Sequence, residues 1–241
     1  MQVVIEEKLI KRNSRIGQIL TVVSLVTLGG GMFITFKRPE LLWLSITALL
    51  VGFLLSQIGI FYTNRWGRSP RPDEQVSLAL KGLDKRYSLY HYQTPASHVL
   101  VGPAGVWVIL PKHQRGTITY SKNRWRQSGG GFMQAYLKFF AQEGIGRPEL
   151  EIDSETESLT KFLKKNLPAE TEIPEIRAAL IFSNPAAVIE ADNAPAPTLP
   201  AKKLKDFMRN TAKERPISAE KIALIKHAIA PLAEDDEDET E

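Results

Sequence analysis

The stretch Ala96 to Lys112, ASHVLVGPAGVWVILPK, decides the fold. Val99-Leu100-Val101 and Val106-Trp107-Val108-Ile109 are apolar runs on either side of Gly102-Pro103-Ala104-Gly105. So tight a turn between two such runs predicts paired buried strands, His98 to Val101 and Val106 to Ile109. The second run ends on Lys112, and no carboxylate lies within the stretch. A hard divalent cation would find only Ser97, His98 and backbone carbonyls there.

Upstream, Arg68-Ser69-Pro70-Arg71-Pro72 reads as a stiff extended linker over 63–72, because each proline fixes its own torsion and disfavours helix before it. Asp73 to Leu83 follows as a short helix with Asp73 at its N-cap, then Tyr87 to Tyr92 as an aromatic strand. Downstream, Gly116 to Tyr120 and Arg124 to Gln127 form a hairpin across Ser121-Lys122-Asn123. Helices are expected at Phe132 to Phe140 and, more strongly, at Glu149 to Leu167, where Ile152, Leu159, Phe162, Leu163 and Leu167 share a face. Glu175 to Ser183 reads as a nearly continuous apolar central strand. Asp192 to Pro200 is a proline-rich loop, and helices Ala201 to Met208 and Ser218 to Pro231 close the domain, Ser218 capping the latter. The soluble domain therefore covers 73–231.

Two apolar blocks precede it. Ile16 to Phe36 and Leu41 to Tyr62 contain no ionised side chain. At about 1.5 Å per residue each is long enough to cross about 30 Å of hydrocarbon. A signal peptide fits poorly, since a second span follows the first after Lys37-Arg38-Pro39-Glu40. The chain is expected to be an integral protein of the cell membrane with a hairpin over 16–62. Lys8, Lys11, Arg12 and Arg15 precede it in segment 1–15, and Arg65, Arg68 and Arg71 follow, which places both termini and the soluble domain on the cytoplasmic side. Trp43, Tyr62 and Trp66 suit headgroup depth. Gly17, Ser24 and Gly31 recur every seventh residue, as do Ser45, Gly52 and Gly59. Such stripes suit either packing within an antiparallel hairpin or a homodimer through the transmembrane helices. Gly29 to Gly31 lies inside an apolar span and lacks the lysine and hydroxyl of a phosphate loop.

The chain has 31 Lys and Arg against 27 Asp and Glu. Seven of the acids fall in Glu234 to Glu241, so the body is clearly basic and suits an anionic neighbour, phospholipid headgroups or nucleic acid. The acidic tail, 232–241, is expected to be disordered by self-repulsion. With no cysteine, thiolate chemistry and disulfides are excluded. The four histidines, His91, His98, His113 and His227, have no zinc-binding spacing.

From about Asp73 to Asn210 the chain resembles the NERD (nuclease-related domain) family, which has the PD-(D/E)xK nuclease-like fold. The resemblance rests on Glu74 heading the first helix, His98-Val99-Leu100-Val101, Gly102-Pro103-Ala104-Gly105, Val106-Trp107-Val108-Ile109, Lys112, Gly116 with Trp125, and Ile181-Phe182-Ser183-Asn184. It implies a mixed-sheet α/β, restriction-endonuclease-like domain after the transmembrane hairpin. In active members an aspartate precedes the histidine and a glutamate stands two before the lysine, together binding magnesium or manganese. Here those positions are Ser97 and Leu110. The resemblance thus implies a catalytically inactive module needing no cofactor, with Lys112 a surface lysine at a strand end. The alternative is a membrane-tethered, magnesium- or manganese-dependent nuclease using Glu74, Lys112 and a migrated acid, Glu151. Glu151, Asp153, Glu155 and Glu157 otherwise read as a solvated helix face. Lys112, His113, Arg115, Lys122, Arg124 and Arg126 form a candidate patch for phosphate in nucleic acid or lipid. Alternation puts Arg124 and Arg126 on one face and Trp125 on the other, toward the core.

Overall fold

A computed structural model of the chain describes residues 1–129, 144–168 and 170–229. Two compact units emerge. The first is the helical pair Glu7–Arg71. The second joins Met1–Glu6 to the described residues from Pro72 onward.

In the helical unit, α1 (Glu7–Lys37) and α2 (Leu42–Tyr62) run antiparallel through a 3₁₀ turn, Pro39–Leu41, and a π-helical turn, Thr63–Gly67, follows α2. Both helices are long and apolar enough to cross a membrane. Most of their large side chains, among them Val22, Leu25, Phe33, Leu50 and Leu54, are exposed, the reverse of a soluble core helix. The buried positions are the two stripes: Gly17, Ser24 and Gly31 of α1, with Ser45, Gly52 and Gly59 of α2. They face each other within the hairpin. The Ser45 hydroxyl donates to the Gly31 carbonyl at 2.6 Å and is hydrogen-bonded to Thr35 Oγ1. A side chain at Gly59 would meet Thr21 Oγ1 at 3.1 Å. The stripes thus serve internal packing, which only small residues permit.

The second unit contains a six-stranded mixed sheet, in the order β1-β2-β3-β4-β7-β9. Its strands are β1 (Gln2–Ile5), β2 (Ser88–His91), β3 (His98–Gly102), β4 (Gly105–Lys112), β7 (Ile176–Phe182) and β9 (Thr198–Pro200). β3 runs antiparallel to both of its neighbours, β2 and β4; β1 on β2, β7 on β4 and β9 on β7 are parallel. The hairpin β5 (Gly116–Ser121) and β6 (Arg124–Ser128) stands in a separate sheet with β8 (Ala187–Glu190).

The near-continuous apolar run of β4 is explained by burial on both faces. Val106, Val108 and Leu110 join Leu159 and Leu163 of α4 (Pro148–Asn166) and Ile225 of α6 (Ala219–Ile229). Trp107 and Ile109 point the other way, toward Val76 of α3 (Pro72–Ala79), Leu80 just after it, and Leu204 and Met208 of α5 (Ala201–Glu214). The sheet is therefore covered by α3 and α5 on one face and by α4 and α6 on the other.

The turn between β3 and β4 needs both its glycines. Gly105 adopts φ +107°, and a Cβ there would meet Arg177 Nη2 at 2.8 Å. A Cβ at Gly102 would run into the ring of Tyr87, which is buried and donates through its hydroxyl to the Met208 carbonyl. Gly102→Ala is therefore expected to lower unfolding stability by about 2 kcal/mol through overpacking, measured as a denaturation midpoint. An unchanged midpoint would refute the clash.

Several sequence expectations need correction. Within segment 1–15, where no secondary structure is expected, Gln2–Ile5 is a sheet strand and α1 already begins at Glu7. The soluble fold consequently draws on residues before the helical pair, not on 73–231 alone. Within the expected linker, 63–67 is helical, and Asp73 lies inside the first turn of α3. The proline-rich loop ends in β9, and β8 is a strand that the sequence pattern does not indicate. Its four residues, Ala-Val-Ile-Glu, are too short to show a period. Ser218 does cap α6, its hydroxyl accepting from Lys221 N at 3.3 Å. The expected helix Phe132 to Phe140 and the acidic tail lie outside the described residues.

Candidate functional site

β4 carries Leu110 and Lys112 to the end of the sheet on one face, the face that α4 covers. Leu110 is 5% exposed among Leu159 and Leu163. Lys112 turns back onto α4, where its ammonium donates to both oxygens of Glu151 at 2.8 and 2.7 Å. Its side chain is only 13% exposed, so it is not a surface lysine. One helical turn further, Glu155 accepts from Ser97 N at 3.2 Å and from Ser97 Oγ at 2.8 Å. Glu151 and Glu155 stand four apart and so share a helix face. The expectation of a solvated face holds for Asp153 and Glu157, both exposed, with Glu157 paired to Lys161 at 2.7 Å. Glu151 is exposed as well, its side chain 45% so, but it is engaged by Lys112, while Glu155 is half-buried on Ser97; the two tie α4 to the strand ends.

Glu74 belongs to α3, on the opposite face of the sheet from α4. Glu74, Lys112 and Glu151, the trio required by a migrated nuclease site, are therefore not gathered. Among the described residues no group of three or more His, Asp or Glu could hold a metal ion. On the α3 face lies a cluster that spacing did not reveal. His91 and His98 are directly opposed across β2 and β3, their Nδ1 atoms 2.9 Å apart, and Ser77 Oγ lies 2.8 Å from His91 Nε2. Both imidazoles are buried. Their relation required strand register, which the sequence does not state.

The basic patch divides. Lys112 leaves it, being occupied by Glu151. His113 and Arg115 are exposed in the connection to β5, where Asn184 Nδ2 donates to the His113 carbonyl at 3.3 Å. Lys122 and Asn123 form a two-residue turn with φ of 52° and 55°, which matches the right-handed twist of the strands it joins. Arg124 and Arg126 are exposed on the outer face, opposite Ser121 and Thr119. Trp125 points inward, its ring 5.0 Å from Tyr120 and packed on the core. The expected alternation of cations out and indole in is present.

Loss of the Glu151 carboxylate leaves the covered Lys112 ammonium without its bidentate partner. Glu151→Ala is expected to cost about 1 kcal/mol, part of the ion-pair energy being returned by water at the open side of the pair. A double-mutant cycle with Lys112→Met measures the coupling, and a coupling of zero would show that the pair does not fasten α4.

The site and fold define a mixed α/β domain joined to a hairpin of two membrane-length helices, with a lysine clamped at a sheet end that carries no acids of its own. No protein-family model, curated protein or solved structure matches this chain.

Proposed function

We propose that the chain is a membrane-anchored, catalytically inactive NERD-like module that holds an anionic ligand, phospholipid headgroup or nucleic-acid phosphate, on the cytoplasmic face. The observation that carries this reading is the clamp at the strand end: Lys112 is engaged by Glu151, Ser97 by Glu155, and Leu110 is core. A lysine so engaged is poorly placed to stabilise a phosphoryl transition state. Of the patch, His113, Arg115, Lys122, Arg124 and Arg126 stay exposed, the last three together on the β5–β6 hairpin.

The pairing of β1 with β2 supports the membrane topology independently of charge bias. Strand Gln2–Ile5 and the chain from Pro72 onward share one sheet, so the two ends of the hairpin belong on the same side of a bilayer. The excess of cations flanking the spans favours the cytoplasmic side. A homodimer through the small-residue stripes forms no part of the proposal, because those stripes pack against each other within one chain.

Full-length protein in neutral nanodiscs tests the reading with a fluorescent single-stranded oligonucleotide and, separately, with anionic vesicles. Arg124→Ala/Arg126→Ala is expected to reduce the salt dependence of oligonucleotide binding by roughly one and a half in log–log slope, or to weaken vesicle binding by roughly 2 kcal/mol. Unchanged binding to both would remove the patch. Magnesium- or manganese-dependent cleavage abolished by Lys112→Ala would replace the whole reading with the nuclease alternative.

A further inference from the structure

A cavity of about 770 Å³ opens between the 82–87 turn, Pro103, the second half of α5 and the start of α6. It is distant in sequence and in fold from the β5–β6 cations, and its walls are braced. Arg209 Nη2 of α5 donates to the Gly82 carbonyl at 2.9 Å, Ile217 N to the Pro103 carbonyl at 3.1 Å, and Lys226 Nζ of α6 to the Arg86 carbonyl at 2.7 Å. Three elements are thus tied around one space, and its size lies within the range of small-ligand sites.

The lining is amphipathic in an ordered way. Leu83 and Ile222, both buried, and the half-buried Ile217 supply an apolar wall. The polar side carries Arg86, Arg209 and Lys213 against Asp84 and Asp206. Asp84 binds Arg86 at 2.6 Å, and the guanidinium holds its carboxyl below the usual carboxylate range. Asp206 meets Arg209 at 3.5 Å. The Lys213 side chain makes no hydrogen bond or ion pair among the described residues. The lining thus holds three cations against two acids, with Lys213 left uncompensated beside an apolar wall, a pairing that recognises a negative charge on an apolar body.

We propose that this cavity binds an amphipathic monoanion, an organic acid whose carboxylate or phosphoester group meets Lys213 while its apolar body lies against Leu83, Ile217 and Ile222. The same chemistry is offered by a soluble aromatic or aliphatic acid and by an anionic membrane lipid.

Full-length protein in phosphatidylcholine nanodiscs, dialysed against 2-naphthoate with empty discs subtracted, tests the site. Saturable binding is expected, about tenfold weaker in Lys213→Ala, retained in Lys213→Arg, and about tenfold weaker for the uncharged 2-naphthalenemethanol. Lys213 is exposed and unpartnered, so its substitution is expected to leave the melting temperature unchanged. Discs doped with phosphatidylglycerol separate the sources: competition with naphthoate assigns the cavity to bilayer lipid, and undiminished binding assigns it to a soluble acid. No binding beyond empty discs, or equal binding in Lys213→Ala, overturns the proposal. Because none of these residues belongs to the β5–β6 patch, that patch stands or falls separately.

Discussion

Replacing Gly52 with isoleucine is expected to force α1 and α2 apart, at a cost of about 3 kcal/mol to hairpin packing. Even a single Cβ at Gly52 would lie 2.7 Å from Leu28 Cγ and 3.2 Å from the Leu28 backbone nitrogen. The leucine tip can rotate away, but the backbone of α1 cannot, and isoleucine adds three further carbons at the point of closest approach. Lipid offers no hydrophobic drive to push the helices back together, so close backbone contact is most of what holds them. The absence of cysteine makes the measurement clean. Thirty-five and forty-five are hydrogen-bonded through Thr35 Oγ1 and Ser45 Oγ, so Thr35→Cys/Ser45→Cys should oxidise readily to a cross-link within one chain. The cross-link yield is expected to fall sharply when Gly52→Ile is added. An undiminished yield would mean that the stripes do not set the packing.

Deleting residues 2–5 is expected to destabilise the sheet by about 3–5 kcal/mol, from lost ladder hydrogen bonds and the exposure of apolar surface under β1. Gln2 N donates to the Tyr87 carbonyl at 3.0 Å, Glu6 N to the His91 carbonyl at 3.1 Å, and the Met1 ammonium to the Leu83 carbonyl at 3.2 Å. Val4 packs against the core that includes Tyr90 and Val99. Without β1 the edge passes to β2, whose four residues are all buried, an exposed apolar edge that invites aggregation. Hydrogen exchange at Leu89 and Tyr90 in the full chain reads the effect. Gln2→Pro/Glu6→Pro removes two donors while keeping the strand's apolar side chains, and should produce a smaller loss in the same amides. Unchanged protection in both variants would show that β1 is an ornament of the edge. A fragment beginning at Pro72 is expected to behave like the deletion.

Much of the scaffold was legible from local pattern. The continuous apolar run of β4 announced a buried strand, and the shared face of Leu159 and Leu163 announced α4, because these signals are confined to a few turns or residues. The candidate site was less legible. Ser97 and Leu110 could be read as missing acids, but nothing local revealed that Glu151 and Glu155 would be aimed inward at Lys112 and Ser97. Acids near a helix N-terminus are equally at home in water, and only the docking of α4 on the sheet fixes which side they take. Likewise, Lys112 and Arg124 are near neighbours in charge and sequence, yet one is covered by a carboxylate and the other faces solvent.

By itself, then, the sequence determined two apolar helices of membrane length, the small-residue stripes that let them pack, and a run of strands and helices built around Ala96 to Lys112. Each follows from composition and spacing along a short piece of chain. The tertiary structure alone decided that Gln2–Ile5 completes a sheet with residues beyond the hairpin, that Glu74 and Glu151 take opposite faces, and that a braced cavity forms beside Lys213. These depend on register and docking between segments far apart in the chain. Their energy comes from contacts that exist only once the loops have closed, and no local period encodes them.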